Sequence, residues 1–186
     1  MSAVFDLHCD TLTAFMTPGR CLDTLNDPQS AFALCRLPRG RSWAQCCAIF
    51  VPDGLPEGDV FPFFHTQVEN FRRQGARFAD RARLCRTAGE AAESWREGRT
   101  ALFLTVENGA VLGRDLRRVE ELARAGVVMV TLTWNGENAI GSGSQNDHGL
   151  TAFGREAVRE LIRQGIVLDV SHLNDRGFWD LMEETD

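Results

Sequence analysis

Five short apolar runs rich in β-branched residues, at 3–8, 44–51, 100–106, 127–133 and 166–170, alternate with longer stretches of helical period. A strand that is apolar on both faces needs cover on both sides. A helix after each strand supplies it, so the alternation implies repeated βα units and a parallel sheet. Helices are expected over 64–83, 88–96, 115–125, 151–164 and 175–184. The third and fourth are each followed by Gly, the favoured residue just past a helix end.

Two α/β architectures fit this pattern, an open doubly wound sheet and a closed (β/α)8 TIM barrel. An open sheet concentrates its ligands at one switch point, usually behind a Gly-rich loop after the first strand. No such loop follows His8. A barrel instead assembles its site from the C-terminal ends of many strands, and His8, Asp10, Glu107 and His172 stand at the ends of the first, third and fifth runs. The expectation is therefore a (β/α)8 TIM-barrel type. A full barrel takes about 250 residues. These 186 residues hold about five units, so the reading is the N-terminal portion of a barrel, one domain over 1–186, with two or three strands lying beyond it.

The first run ends in Asp6-Leu7-His8-Cys9-Asp10-Thr11. Residues two apart on a strand point the same way, so an imidazole and a carboxylate converge while Cys9 turns to the opposite face. Glu107 closes a buried run that enters the turn Asn108-Gly109. A buried carboxylate costs several kcal/mol unless it is paired, hydrogen-bonded or metal-bound. An Arg salt bridge, a helix cap and a bridge between two cations all meet that need. His172 ends the fifth run in the same way. Two His and two carboxylates form a mixed N/O set suited to Zn²⁺ or a similar divalent ion. Two metals sharing a carboxylate can generate hydroxide at neutral pH and polarise a carbonyl.

The other histidines are read differently. His65 belongs to an amphipathic helix and is expected on the surface. His148 lies in the Gly/Ser/Asn-rich segment 141–149, which on the barrel reading covers the active-site face. With Trp134, Asn135 and Asn138 at the start of the same connection, it is a candidate for substrate contact.

Composition removes several alternatives. A net charge of −6 and a pI near 5.3 oppose nucleic acid as a partner, since a polyanion needs a concentrated basic surface. All twenty basic residues are Arg, which excludes a Schiff-base lysine, a P-loop lysine and a carbamylated lysine between metals. The longest apolar runs are far shorter than the roughly 20 residues of a membrane helix, so no membrane partner is expected. No secretory leader is read at the N-terminus, which makes the cytoplasm the expected location. The six cysteines, Cys9, Cys21, Cys35, Cys46, Cys47 and Cys85, show no zinc-ribbon spacing and are expected to be reduced.

At these residues the chain resembles the membrane (renal-type) dipeptidase family, peptidase family M19, within the amidohydrolase superfamily. The motifs that carry the resemblance are Asp6-Leu7-His8-Cys9-Asp10-Thr11, Thr105-Val106-Glu107-Asn108-Gly109, Thr131-Leu132-Thr133-Trp134-Asn135, Gly149-Leu150-Thr151-Ala152-Phe153-Gly154 and Asp169-Val170-Ser171-His172. The resemblance implies a zinc-dependent dipeptidase with two ions, in which a metal-bridging hydroxide attacks the peptide bond of a dipeptide. It further implies that His8 and Asp10 hold one ion, Glu107 bridges, and His172 holds the second. The family usually has Glu-Gly-Gly where this chain has Glu107-Asn108-Gly109. Its mammalian members place a substrate-polarising His where Trp134 stands, and bacterial relatives carry Trp-Asn-Gly-Glu-Asn. The family's second His on the second metal, its carboxylate-binding Arg and its acidic proton shuttle are expected beyond residue 186. The 186 residues alone are therefore expected to turn over weakly or not at all.

Two other readings accompany this one. Deaminases and lactonases of the same superfamily share such first strands, although many bridge their metals with the lysine this chain lacks. A partial barrel could instead be non-catalytic and complete itself by association, as a homodimer, through its unpaired edges and apolar helix faces.

Overall fold

The computed structural model describes residues 3–14 and 25–185, and Cys21 lies outside them. The chain divides into two compact units, one of Met1–Ile49 with Thr66–Thr105 and one of Phe50–His65 with Val106–Asp186.

The first unit carries β1 (Val4–Asp6), β2 (Trp43–Phe50), β3 (Ala82–Leu84) and β4 (Thr100–Glu107), β2 and β4 each ending in the second unit. β1 lies parallel to β2 with Val4 opposite Trp43 and Asp6 opposite Gln45. β3 lies parallel to β4 with Ala82 opposite Thr100. Every residue of β4, Thr-Ala-Leu-Phe-Leu-Thr-Val-Glu, is buried, as a strand covered on both faces requires. The helix α3 (Ala88–Arg96) starts on a capping box: Thr87 Oγ1 accepts from Glu90 N while the Glu90 carboxylate accepts from Thr87 N.

Two expectations are corrected here. The helix expected over 64–83 is α2, Glu57–Arg77. It begins earlier because Glu57 and Asp59 place negative charge on its first turn, where the helix dipole favours it. It stops earlier because Ala82–Leu84 leaves to pair with β4. Gly75 makes that exit fit, since a Cβ there would stand 2.6 Å from Leu84 Cδ2. The chain thus has a sixth short strand that the apolar pattern does not reveal, and a short helix α1 (Thr11–Ala14) directly after the His8–Asp10 segment.

The second unit carries α4 (Arg117–Ala125), β5 (Val127–Thr131), α5 (Ala152–Arg163), β6 (Val167–Asp169) and α6 (Asp175–Thr185). β5 and β6 are parallel, with Thr131 opposite Asp169, and the Thr131 hydroxyl donates to Asp169 Oδ2 at 2.7 Å. α4 ends on Gly126 at φ 101°, a left-handed cap that suits glycine. Val119, Leu122, Val130, Leu132, Ile140 and Leu161 are fully buried in this unit's core.

β1, β5 and β6 all stop short of the expected ends. His8 therefore lies two residues past β1 and His172 three past β6, both in connecting segments. No described helix is long and apolar enough to cross a membrane.

Candidate metal centre

In the first unit, hydrogen bonding to β2 continues past the end of β1: Ala48 N donates to the Cys9 carbonyl at 2.9 Å. That extended run keeps the alternation expected of a strand, with His8 and Asp10 exposed and Cys9 buried between them. His8 Nε2 stands 3.4 Å from Asp10 Oδ1. A cavity of about 480 Å³ opens beside the pair, lined by Asp6, His8, Asp10, Phe32, Arg36 and Trp43 among others. Cys9 Sγ makes a 2.7 Å contact with Thr11 Oγ1. Burial raises its thiol above the ordinary value, and burial pushes the Cys46 thiol up to about 12. Burial thus disfavours the thiolate, the form that a nucleophile uses.

In the second unit, Glu107 is 6% exposed at the end of β4. Its Oε1 lies 3.0 Å from His172 Nε2. The other ring nitrogen of His172, Nδ1, is 3.3 Å from Asn135 Oδ1. At these distances the ring bridges two oxygens, and with Asn135 Oδ1 accepting from Nδ1–H, Nε2 is the nitrogen that would be free to take an ion in place of its contact with Glu107. An imidazole nitrogen beside a buried carboxylate oxygen is a donor set of the type a divalent ion of the zinc class takes. Trp134 stands beside them, its ring centroid 6.5 Å from that of His172 and 5.0 Å from that of Phe50.

Among the described residues, only Asn108 (φ 80°) and His172 (φ 68°) adopt positive φ without being glycine. Such conformations cost about 1–3 kcal/mol each and persist where the surroundings over-determine them. One is a candidate ligand and the other directly follows one.

The remaining expected residues are held as follows. His148 Nε2 faces Glu137 Oε1 at 3.3 Å and its Nδ1 faces the Gly149 carbonyl at 3.1 Å. The side-chain amide of Asn138 donates to Asn108 Oδ1 and to the Leu132 carbonyl and accepts from Ile140 N and Gly141 N. His65 lies half exposed on α2, with its Nε2 3.9 Å from Glu121 Oε2. Two residues that sequence reasoning did not single out complete the picture: Asp53 and the side chain of Asn108. The only sequence signal for either is an Asn where the resembling family carries Gly.

A sequence profile of the membrane dipeptidase family, peptidase family M19, matches residues 1–186. Dipeptidase tcpJ of Claviceps purpurea is 26% identical over 160 residues, covering 80% of this chain and 38% of that protein. The crystal structure of dipeptidase AC, a family M19 metallo peptidase, superposes with a TM-score of 0.85 at 25% identity, over 97% of this chain and 60% of its own. That of a Rhodobacter sphaeroides metallo peptidase, liganded with a phosphinate mimic of the dipeptide L-Ala-D-Ala, gives 0.86 at 22% identity, over 99% of this chain and 62% of its own. The chain thus spans 38% to 62% of the length of these relatives. The fold is the incomplete (β/α)8 type expected from the alternating runs together with the strand-end placement of the candidate ligands.

Proposed function

The chain belongs to the membrane dipeptidase family, peptidase family M19, and on that premise we propose that the whole protein is a zinc-dependent dipeptidase that hydrolyses the peptide bond of dipeptides. In this reading His8 and Asp10 hold one ion, Glu107 bridges, and His172 holds a second. Zinc held there would supply Lewis acidity, activating water at neutral pH and polarising the scissile carbonyl. The protein's own part is to aim the ligands. Asn135 does so for His172 by accepting from Nδ1, and the hydrogen-bonded backbone on either side of Glu107 does so for the carboxylate. Trp134, Asn135, Asn138 and His148 belong to the connections proposed to meet the substrate. A single domain, a cytoplasmic location and a homodimer complete the proposal.

The observation that carries this reading is the Glu107–His172 pair at 3.0 Å, in a chain matched along its whole length by a dipeptidase family. The test is hydrolysis of L-Ala-D-Ala with added Zn²⁺, the dipeptide being chosen for the mimic that the Rhodobacter relative binds. It is run on this chain, on a version lengthened to the extent of its relatives, and on Glu107→Ala and His172→Ala in both. The lengthened protein is expected to turn over and the 186 residues alone to do so weakly. Either substitution is expected to lower kcat/KM by more than about 100-fold, since even partners of metal ligands are worth 10 to 100-fold. Metal-independent hydrolysis, or full activity after Glu107→Ala, would exclude the proposal.

A further inference from the structure

Asn108 is fully buried and holds φ 80° with ψ 102°, a region that side chains other than glycine rarely enter. Its amide is saturated. Nδ2 donates to the Val51 carbonyl at 2.8 Å and to Asp53 Oδ1 at 2.9 Å. Oδ1 accepts from Ala110 N at 3.0 Å and from Asn138 Nδ2 at 2.8 Å. Those partners come from three connections: the one after β2, the turn after β4, and the one after β5.

The bonds around Asn108 close rings. Val51 N donates to the Glu107 carbonyl at 3.0 Å, so Val51 is gripped at its N–H by residue 107 and at its C=O by residue 108. On the other side, Gly109 N donates to the Leu132 carbonyl, which also accepts from Asn138 Nδ2. The second oxygen of Asp53 accepts from Gly136 N at 2.8 Å. The connection that presents Asn135 to His172 is therefore tied on one side of Asn135 by Gly136 and Asn138, both leading back to Asn108.

Few side chains could serve here. Glycine would adopt this backbone freely and supply none of the bonds. Aspartate tolerates positive φ but has no N–H to give, and would set a second carboxylate against Asp53. Asn combines tolerance of the conformation with two donors and two acceptors.

We infer that Asn108 is a positioning residue: it locks the connections after β2, β4 and β5 into one frame, and through that frame fixes the Glu107 carboxylate and the Asn135–His172 bond. The inference rests on the metal-dipeptidase reading for what Glu107 and His172 hold.

The test uses Co²⁺ as the probe, with binding followed by its visible absorbance, alongside kcat and KM for L-Ala-D-Ala and Tm for every variant. Asn108→Gly removes the amide and relieves the backbone. It is expected to weaken Co²⁺ binding by about 10 to 100-fold and to lower kcat by a similar factor while KM moves less than about twofold, because misaimed ligands lose chemistry before they lose substrate. Asp53→Ala, at an exposed position, keeps the fold and cuts two of the tethers; a loss of at least about threefold in Co²⁺ affinity is expected. Leu161→Ala, which opens a cavity on the buried face of α5 in the same unit, is expected to lower Tm without weakening Co²⁺ binding at temperatures where it is folded. Unchanged Co²⁺ affinity and kcat in Asn108→Gly or Asp53→Ala, or affinity that tracks Tm across all three variants, would overturn the inference. A wild-type chain that binds no Co²⁺ would instead remove the dipeptidase reading, and this inference with it.

Discussion

The surroundings of His148 move its charge. The Gly149 carbonyl on Nδ1 and then the Glu137 carboxylate on Nε2 both favour the protonated ring, and they raise its pKa above the ordinary 6.5. A folded-state value above the unfolded one means that the charged ring's contribution to stability is complete below about pH 6.5 and is lost as pH rises through the raised value. Glu137→Gln is expected to bring the His148 pKa down while leaving it above the ordinary value, because the larger cause, Gly149, remains. Titration of the ring nitrogens by NMR measures this. A His148 pKa that does not move in Glu137→Gln would contradict the assignment. The two strained residues differ from His148 in kind. At Asn108 and His172 the backbone departs from its comfortable range, and the surrounding hydrogen bonds hold it there.

Among the elements, α5 shows how local chemistry places a connection. Thr151 caps its N-terminus, Oγ1 accepting from Gly154 N at 2.9 Å and donating to the Ala139 carbonyl at 2.6 Å. One hydroxyl thereby joins the helix start to the end of the 132–140 segment. Thr151→Ala is expected to lower stability by about 1–2 kcal/mol, the upper part of the usual cost of a lost cap. Gly154→Ala should cost more, about 3 kcal/mol, because its Cβ would fall 2.0 Å from the Ile140 carbonyl oxygen, which is backbone and cannot step aside. Denaturant unfolding of the two variants gives the order, and a Gly154→Ala protein as stable as the parent would refute the packing argument. The Gly after α4 was legible in the sequence because capping acts over a few residues, whereas Thr151, expected as the first helical residue, stands as the cap just before α5. The strand Ala82–Leu84 was not legible. Its three residues carry no β-branched side chain, and a pairing with Thr100–Leu102 overrides the helical period that precedes it. The same contrast governs the candidate site. The turning of His8 and Asp10 to one side follows from strand alternation, and Glu107 could be suspected from a carboxylate closing an apolar run. The Asp53–Asn108–Asn138 frame joins residues 30 and 55 apart in sequence, and nothing local announces it.

At the scale of the whole molecule, the question is what the exposed apolar side chains do. In the first unit Phe5 is 48% and Leu7 60% exposed, on and just after β1. In the second, Val167 is 58% and Val170 44% exposed on and after β6, with Trp179 at 65% and Met182 at 39% on α6. Among the described residues β1 pairs only with β2 and β6 only with β5, so each has a second edge on which no described strand lies, beside exposed apolar surface. Such edges template association unless a charge or a covering element blocks them. The chain spans 60% of the length of dipeptidase AC, and at its own 186 residues it is expected to self-associate as concentration rises. A lysine on the β6 edge should oppose pairing by charge, and a carboxylate on α6 should oppose burial of the helix face. Val167→Lys and Trp179→Glu are thus expected to shift sedimentation toward the monomer, and their effects should add if strand and helix contribute separately. Lengthening the chain to the extent of its relatives should have the same effect without either substitution, because added chain competes for the same surface. A parent chain that sediments as a monomer up to about millimolar concentration, far above where exposed edges normally associate, would mean that neither edge is open to a partner, and the homodimer proposal would fall.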